Sequence, residues 1–265
     1  MFSIVYFADN LIFTKTLFYY IISAERVDNM QKLMSRMRAA MEKYDMIQDG
    51  DKIAVGLSGG KDSVALLAAL AEMRRFYPRK YEIVAITADM RFNGEDADFS
   101  ELENLCRKLD VQYVIKRTEL ADIIFNIRKE TNPCSLCAKM RRGILHDIAI
   151  ENGCNKVALG HHMDDAVETF FMNLLKGGTV GSFCPVTYLS RKDIYVIRPM
   201  VLATESLVAG AVKHSNLPVV KSKCPMDKTS ERQKTKDLVA SLNKEYPQLR
   251  EKVIGAMQRK GIDNW

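Results

Sequence analysis

The segment that most restricts how this chain can fold is Ser58-Gly59-Gly60-Lys61-Asp62-Ser63, set between the apolar run Lys52 to Leu57 (KIAVGL) and a helical stretch from about Asp62 to Phe76. A short run with β-branched residues that ends in glycines reads as a buried strand, and apolar residues at helical spacing follow it. Such a strand–turn–helix step places the turn at the carboxyl edge of a strand, where open α/β sheets bind ligands. Two glycines let the backbone approach an anion. The Ser58 and Ser63 hydroxyls add donors, Lys61 adds charge, and the helix N-terminus adds its dipole. The spacing fits neither the Walker loop nor the dinucleotide GxGxxG pattern.

The same alternation continues. A helix is predicted over Met30 to Met46, with Leu33, Met37, Ala40, Met41 and Tyr44 on one face, ending in the polar turn Gln48 to Asp51. Strands are predicted at Tyr81 to Ala88, Gln112 to Ile115, Lys156 to Gly160 and Tyr195 to Met200. Helices are predicted from about Glu95 to Leu109, across Ala138 to Asn152, and from about Asp165 to Leu175. Strands alternating with helices imply right-handed crossovers, hence an α/β fold with a doubly wound parallel sheet covered on both faces. The divisions expected are an extension over 1–29, the α/β domain over 30–217 and a small basic helical extension over 218–265.

Net charge is +6, and it is unevenly spread. From Lys213 to Lys260 there are twelve Lys and Arg against five acids, so the rest of the chain is nearly neutral. Clustered cations release counterions from phosphates, which suits RNA before a membrane surface. In residues 1–29, Asp9, Lys15, Glu25 and Arg26 interrupt the apolar runs, so no bilayer span of about 20 apolar residues is present there. The order of charge and apolarity does not suit a secretory signal. An extra amphipathic helix, a weak membrane-surface anchor, or codons upstream of a start at Met30 remain open, and Met30 onward is read as the functional protein.

Without a secretory signal a reducing, cytoplasmic setting is expected, so Cys134-Ser-Leu-Cys137 signals metal or redox chemistry before a structural disulfide. The pair sits in a turn entering a helix with Lys139, Arg141 and Arg142, cations that lower thiol pKa. A structural zinc wants four ligands, usually two such pairs, and no second pair exists. Cys224, in Lys221-Ser-Lys-Cys-Pro225, is the other cysteine in a comparable setting; Cys106 and Cys154 read as core residues, and Cys184 stays ambiguous. A second glycine turn, Gly160-His161-His162-Met163-Asp164-Asp165, also follows a strand. Adjacent histidine side chains splay apart and rarely converge on one ion. One of the two is therefore expected to pack, and the other, with Asp164, to line a pocket.

SGGKDS resembles the PP-loop of the ATP pyrophosphatases, the adenine nucleotide alpha hydrolase-like proteins that cleave ATP between its α and β phosphates. That resemblance implies ATP and magnesium, with Ser58 to Ser63, Gly160 and His161 at the nucleotide, Asp89 contacting it and Asp62 reaching the metal. Together with PCSLCAKMRRGIL (Pro133 to Leu145), LGHHMDDAVETFFMNLLKGG (Leu159 to Gly178) and KCPMDKTSERQ (Lys223 to Gln233), it makes the chain from about Met30 similar to the tRNA 2-thiocytidine synthetase family.

The resemblance implies that Cys134, Cys137 and Cys224 hold a 4Fe-4S cluster with one iron left open to sulfide. It implies adenylation of the C2 oxygen of a cytidine, at position 32 of the anticodon loop, followed by sulfur replacing AMP. Lys61 would stabilise the phosphates, and Asp164 and Arg141 would position substrate or assist proton transfer. The implied partners are tRNA and a sulfur donor derived from a cysteine desulfurase, with no stable membrane partner. Related thiolases are often dimers, which leaves a homodimer open. Lysidine synthetase shares the loop and a similar HHxDD segment, but its chemistry needs no cluster.

Overall fold

Strand β1 (Asp51–Gly56) carries Ile53, Ala54 and Val55, all fully buried, because it is covered on both faces at the centre of a six-stranded sheet of order β3-β2-β1-β4-β6-β5. The computed structural model describes residues 29–128, 133–221, 224 and 231–265. The N-terminal extension through residue 28 and most of the motif Lys223 to Gln233 lie outside the described residues.

Strands β2 (Tyr81–Asp89), β3 (Gln112–Arg117), β4 (Lys156–Ala158) and β6 (Ile194–Ile197) join β1 in parallel ladders. The sheet is not wholly parallel. β5 (Val186–Leu189) pairs antiparallel with β6 across a tight turn and forms the far edge. Four residues of mixed burial carry too little periodicity to announce a strand, so β5 is visible only once β6 is there to pair with it.

Helix α1 spans 29–43, and Leu33, Met37, Ala40 and Met41 are buried as the helical spacing requires. Together with α2 (Lys61–Met73), α3 (Ser100–Lys108), α6 (Met163–Gly177) and α7 (Glu205–His214) it packs one face of the sheet. α3 starts later than its sequence suggests. Asp89 accepts the N–H groups of Arg91 and Ala97, Arg91 is left-handed at φ 50°, and Asp98 accepts the Ser100 N–H, which keeps the preceding residues irregular. After the short helix α4 (Leu120–Asp122) and a π-turn over Ile123–Ile127, α5 (Pro133–Glu151) covers the opposite face.

The basic C-terminal helices, α8 (Glu231–Glu245) and α9 (Leu249–Lys260), bury Val239, Ile254 and Met257 in the same core as α1 and α6. Trp265 joins them, edge-on to Tyr44, with its indole N–H donating to the Phe183 carbonyl. Among the described residues no helix is long and apolar enough to cross a membrane.

Candidate active site

The strand order reverses between β1 and β4, so the loops leaving their carboxyl ends face each other across the crevice where doubly wound sheets bind ligands. Each loop has a glycine that the other elements require. Gly59 is at φ +82°, and a Cβ there would stand 2.8 Å from Val220 Cβ, because Val220 donates its N–H to the Gly59 carbonyl at 2.9 Å. At Gly160 a Cβ would meet the Asp62 carbonyl carbon at 3.0 Å and the Ser63 nitrogen at 3.2 Å. The second glycine turn is therefore packed directly on the backbone of the first.

Ser63 preorganises the phosphate loop. Its Oγ donates to the Gly60 carbonyl at 2.9 Å and accepts from the Ser58 N–H at 3.1 Å. The first turn of α2 has no side-chain cap, so its amide groups stay available to an anion. Burial weakens the Lys61 ammonium, but pairing with Asp62 at 2.8 Å and Glu205 at 3.1 Å outweighs it and raises the pKa, so the charge is retained.

A cavity of about 410 Å³ opens at this point, lined by Ser58, Asp62, Ser63 and Gly160 from the two loops and by Ala138, Arg141, Arg142 and Leu145 from α5. Its floor includes Gly56, Ile86 and Ala88. His161, Asp165 and Arg232 complete the wall. The two histidines divide as their adjacency requires. His162 is buried and caps α6, with its ring accepting the Asp165 N–H while the Asp165 carboxylate accepts the His162 N–H. His161 faces the cavity, stacks at 5.0 Å on Phe183 and accepts from Arg198 Nε at 3.3 Å. Burial, then the adjacent Arg198, pulls its pKa down to about 4, so the ring is neutral near pH 7.

Of the expected residues, Gly59, Gly60, Lys61, Asp89 and Asp164 sit beside the cavity rather than in its wall. Asp89 is buried and spends its carboxylate on the Arg91 and Ala97 amides, while Ala88 lines the cavity in its place. Asp164 accepts the Glu205 N–H at 2.7 Å and pairs with Arg250 Nε at 2.7 Å, tying α6 to α7 and α9. Its neighbour Asp165 lines the cavity instead. In the folded chain His162 and Asp165 form a reciprocal capping box that holds Asp165 at the start of α6 beside the loop. Arg198, Glu205 and Arg232 belong to the site; Arg198 and Glu205 carry no local motif, and Arg232 falls inside the KCPMDKTSERQ segment, which by itself does not announce a pocket residue. They arrive from β6, α7 and α8, remote in sequence.

The cysteine pair lies on the same helix as the Ala138 and Arg141 part of the wall. Cys134 and Cys137 occupy the first turn of α5, and Cys137, Arg141 and Leu145 follow at four-residue spacing on one helix face. At 1.5 Å per residue, Cys137 lies about 6 Å along the axis from Arg141. Burial raises the Cys137 pKa, the charge of Arg141 opposes this, and both Cys224 and Cys134 stand near enough to raise it. Among the described residues no group of three His, Cys, Asp or Glu side chains is placed to hold a metal ion. A Cys-x-x-Cys pair with a third thiol, Cys224, within electrostatic reach of Cys137 is nevertheless a set of donor types of the kind an iron–sulfur cluster takes.

The PP-loop domain family matches residues 29–239. The chain is similar to the tRNA-cytidine(32) 2-sulfurtransferase of Syntrophotalea carbinolica, at 39% identity over 86% of this chain and 88% of the relative. It is similar to that of Geobacter sulfurreducens at 36% identity over 88% and 92%. Among solved structures it resembles the U34-tRNA thiolase NcsA from Methanococcus maripaludis with its [4Fe-4S] cluster, at a TM-score of 0.72 and 25% identity, covering 87% of this chain and 79% of that one.

Proposed function

The chain belongs to the tRNA-cytidine(32) 2-sulfurtransferase family of PP-loop proteins, and on that premise we propose that it is an ATP-dependent tRNA thiolase that exchanges the C2 oxygen of cytidine 32 for sulfur. The observation that carries this reading is Arg141, which lines the nucleotide cavity one helical turn from Cys137 on α5, near enough for its charge to lower the pKa of that thiol, so that one side chain stands between the ATP-binding and sulfur-bearing ends.

The Ser58 to Ser63 loop amides, the α2 N-terminus and Lys61 hold the phosphates of ATP and stabilise the charge that grows on pyrophosphate as it leaves. Asp62, half exposed at the cavity edge, is the carboxylate placed to share a magnesium ion with them. The cytidine oxygen attacks the α-phosphorus and pyrophosphate departs. Sulfur then adds at C2 and the original oxygen leaves on AMP. Cys134, Cys137 and Cys224 would hold a 4Fe-4S cluster, which when bound supplies the sulfur-transfer chemistry. Arg141, between the two ends, orients the adenylated base. His161, neutral and backed by Phe183, contributes a flat wall and no competing charge.

An anticodon-loop base is already unstacked and can enter such a cavity, while the basic C-terminal helices grip flanking phosphates. A cysteine desulfurase supplies the sulfur in this reading, and its tRNA substrate implies the cytoplasm. The test is mass spectrometry of nucleosides from total tRNA of a deletion strain and the same strain complemented. Loss of 2-thiocytidine and its return on complementation are expected. Unchanged 2-thiocytidine with loss of another thiolated base, or of lysidine, would overturn the substrate assignment.

A further inference from the structure

Helix α8 directs two cations, Arg232 and Lys236, at the phosphate site from one face, since residues four apart lie on the same side of a helix. Lys236 Nζ reaches both carboxylate oxygens of Glu205 at 2.7 Å, and Glu205 in turn pairs with Lys61. Arg232 goes further and forms part of the cavity wall beside Ser58, Asp62, Ser63 and His161. Its Nη2 holds Asp165 Oδ1 at 2.6 Å and its Nε holds Glu168 Oε2 at 3.3 Å. Those two carboxylates occupy one edge of a guanidinium that has five N–H donors. The Nη1 end has no partner among the described residues. The side chain remains 43% exposed, too open for a group whose only task is to neutralise the buried Glu168. A planar guanidinium fixed on one edge by carboxylates and open at its other end is preorganised for a phosphate.

We propose that Arg232 is an anion-binding residue of the catalytic cavity, delivered by the C-terminal unit to a phosphate group there, so that this unit completes the reaction site as well as gripping RNA. The inference rests on the reading of the cavity as the ATP site. The phosphate can come from the nucleotide or from the RNA backbone at the target base, and the two are separable by experiment.

Equilibrium binding of MgATP, and separately of a tRNA transcript, would be measured on the full chain and on Arg232→Gln, Arg232→Lys and the double variant Arg232→Gln/Glu168→Gln. The double variant removes the buried carboxylate that Arg232→Gln would strand and so keeps the fold. The expected result is an affinity about tenfold weaker in both Gln variants, the scale of one charge-assisted hydrogen bond, with partial recovery in Arg232→Lys, which keeps charge but loses the fork. Weakening confined to MgATP identifies a nucleotide phosphate; weakening confined to tRNA identifies the RNA backbone. Affinities for both within twofold of wild type, with only the melting temperature lowered, would overturn the proposal and leave Arg232 a structural ion-pair partner. A wild-type chain that binds MgATP in an Arg232-dependent way yet thiolates no cytidine would overturn the assigned reaction while leaving the phosphate site standing.

Discussion

The Lys61 ammonium stands 3.1 Å from the Glu205 carboxylate, which also receives Lys236 of α8, so the cation of the phosphate loop is held by the helices that follow the sheet. Removing one preorganised donor to a developing oxyanion costs about 10²–10³-fold in rate. Lys61→Met is therefore expected to lower pyrophosphate release with MgATP and tRNA by at least about 100-fold while the fold survives, as judged by an unchanged circular dichroism spectrum.

Glu205 also gives an acid-side prediction. Burial raises its pKa, but hydrogen bonds from Lys236 and Lys61 outweigh this and leave it at about 2, below its ordinary 4.5. A depressed carboxylate stabilises the fold fully above its unfolded value, and the contribution is lost as pH falls from about 4.5 toward 2. Glu205→Gln should melt below wild type at neutral pH, and the gap should close on acidification; a constant gap would contradict the pairing.

His161 acts with the opposite chemistry in a neighbouring window. Its pKa is about 4 in the fold against 6.5 when unfolded, so the unfolded chain takes up the proton first and stability falls as pH drops from about 6.5 to 4. His161→Phe, which removes the titrating group, should flatten the pH dependence of the urea midpoint across that interval.

Gly160→Ala tests the contact between the two loops. The added methyl would stand 3.0 to 3.2 Å from the Asp62 and Ser63 backbone, which cannot give way without disturbing the phosphate loop. MgATP affinity should fall by about tenfold, roughly one lost charge-assisted contact, measured by calorimetry.

At the amino end of the sheet, far from the cavity, Lys156 and Asp51 form a buried pair at 2.8 Å, and Lys156 also donates to the Met46 carbonyl. Removing one partner of such a pair strands the other and costs about 3–5 kcal/mol. Lys156→Met should lose that much in denaturant unfolding, and adding Asp51→Asn should restore part of it.

Cys224→Ser checks the third thiol. Iron content and visible absorbance after anaerobic preparation should be lost while MgATP still binds; full iron retention would refute Cys224 as a ligand.

The local signals in this chain are strong where one segment does a whole task. KIAVGL with SGGKDS specifies a strand, an anion-binding turn and a helix within about twenty-five residues, and the spacing of Leu33, Met37, Ala40 and Met41 specifies α1, because periodicity and glycine conformation are properties of neighbours in sequence. The Cys134 and Cys137 pair and the turn beginning at Gly160 are legible for the same reason. What the tertiary structure decided is which side chains those segments meet. Val220 against Gly59, Glu205 against Lys61, and Arg232 beside Asp165 join residues scores of positions apart. Asp164 and Asp165 are adjacent acids with the same chemistry, and only the packing of α6 between α7, α9 and the phosphate loop sends one to the core ties and the other to the cavity. Pairing across such distances depends on how helices stack on the sheet, and a linear pattern of residues carries no record of that.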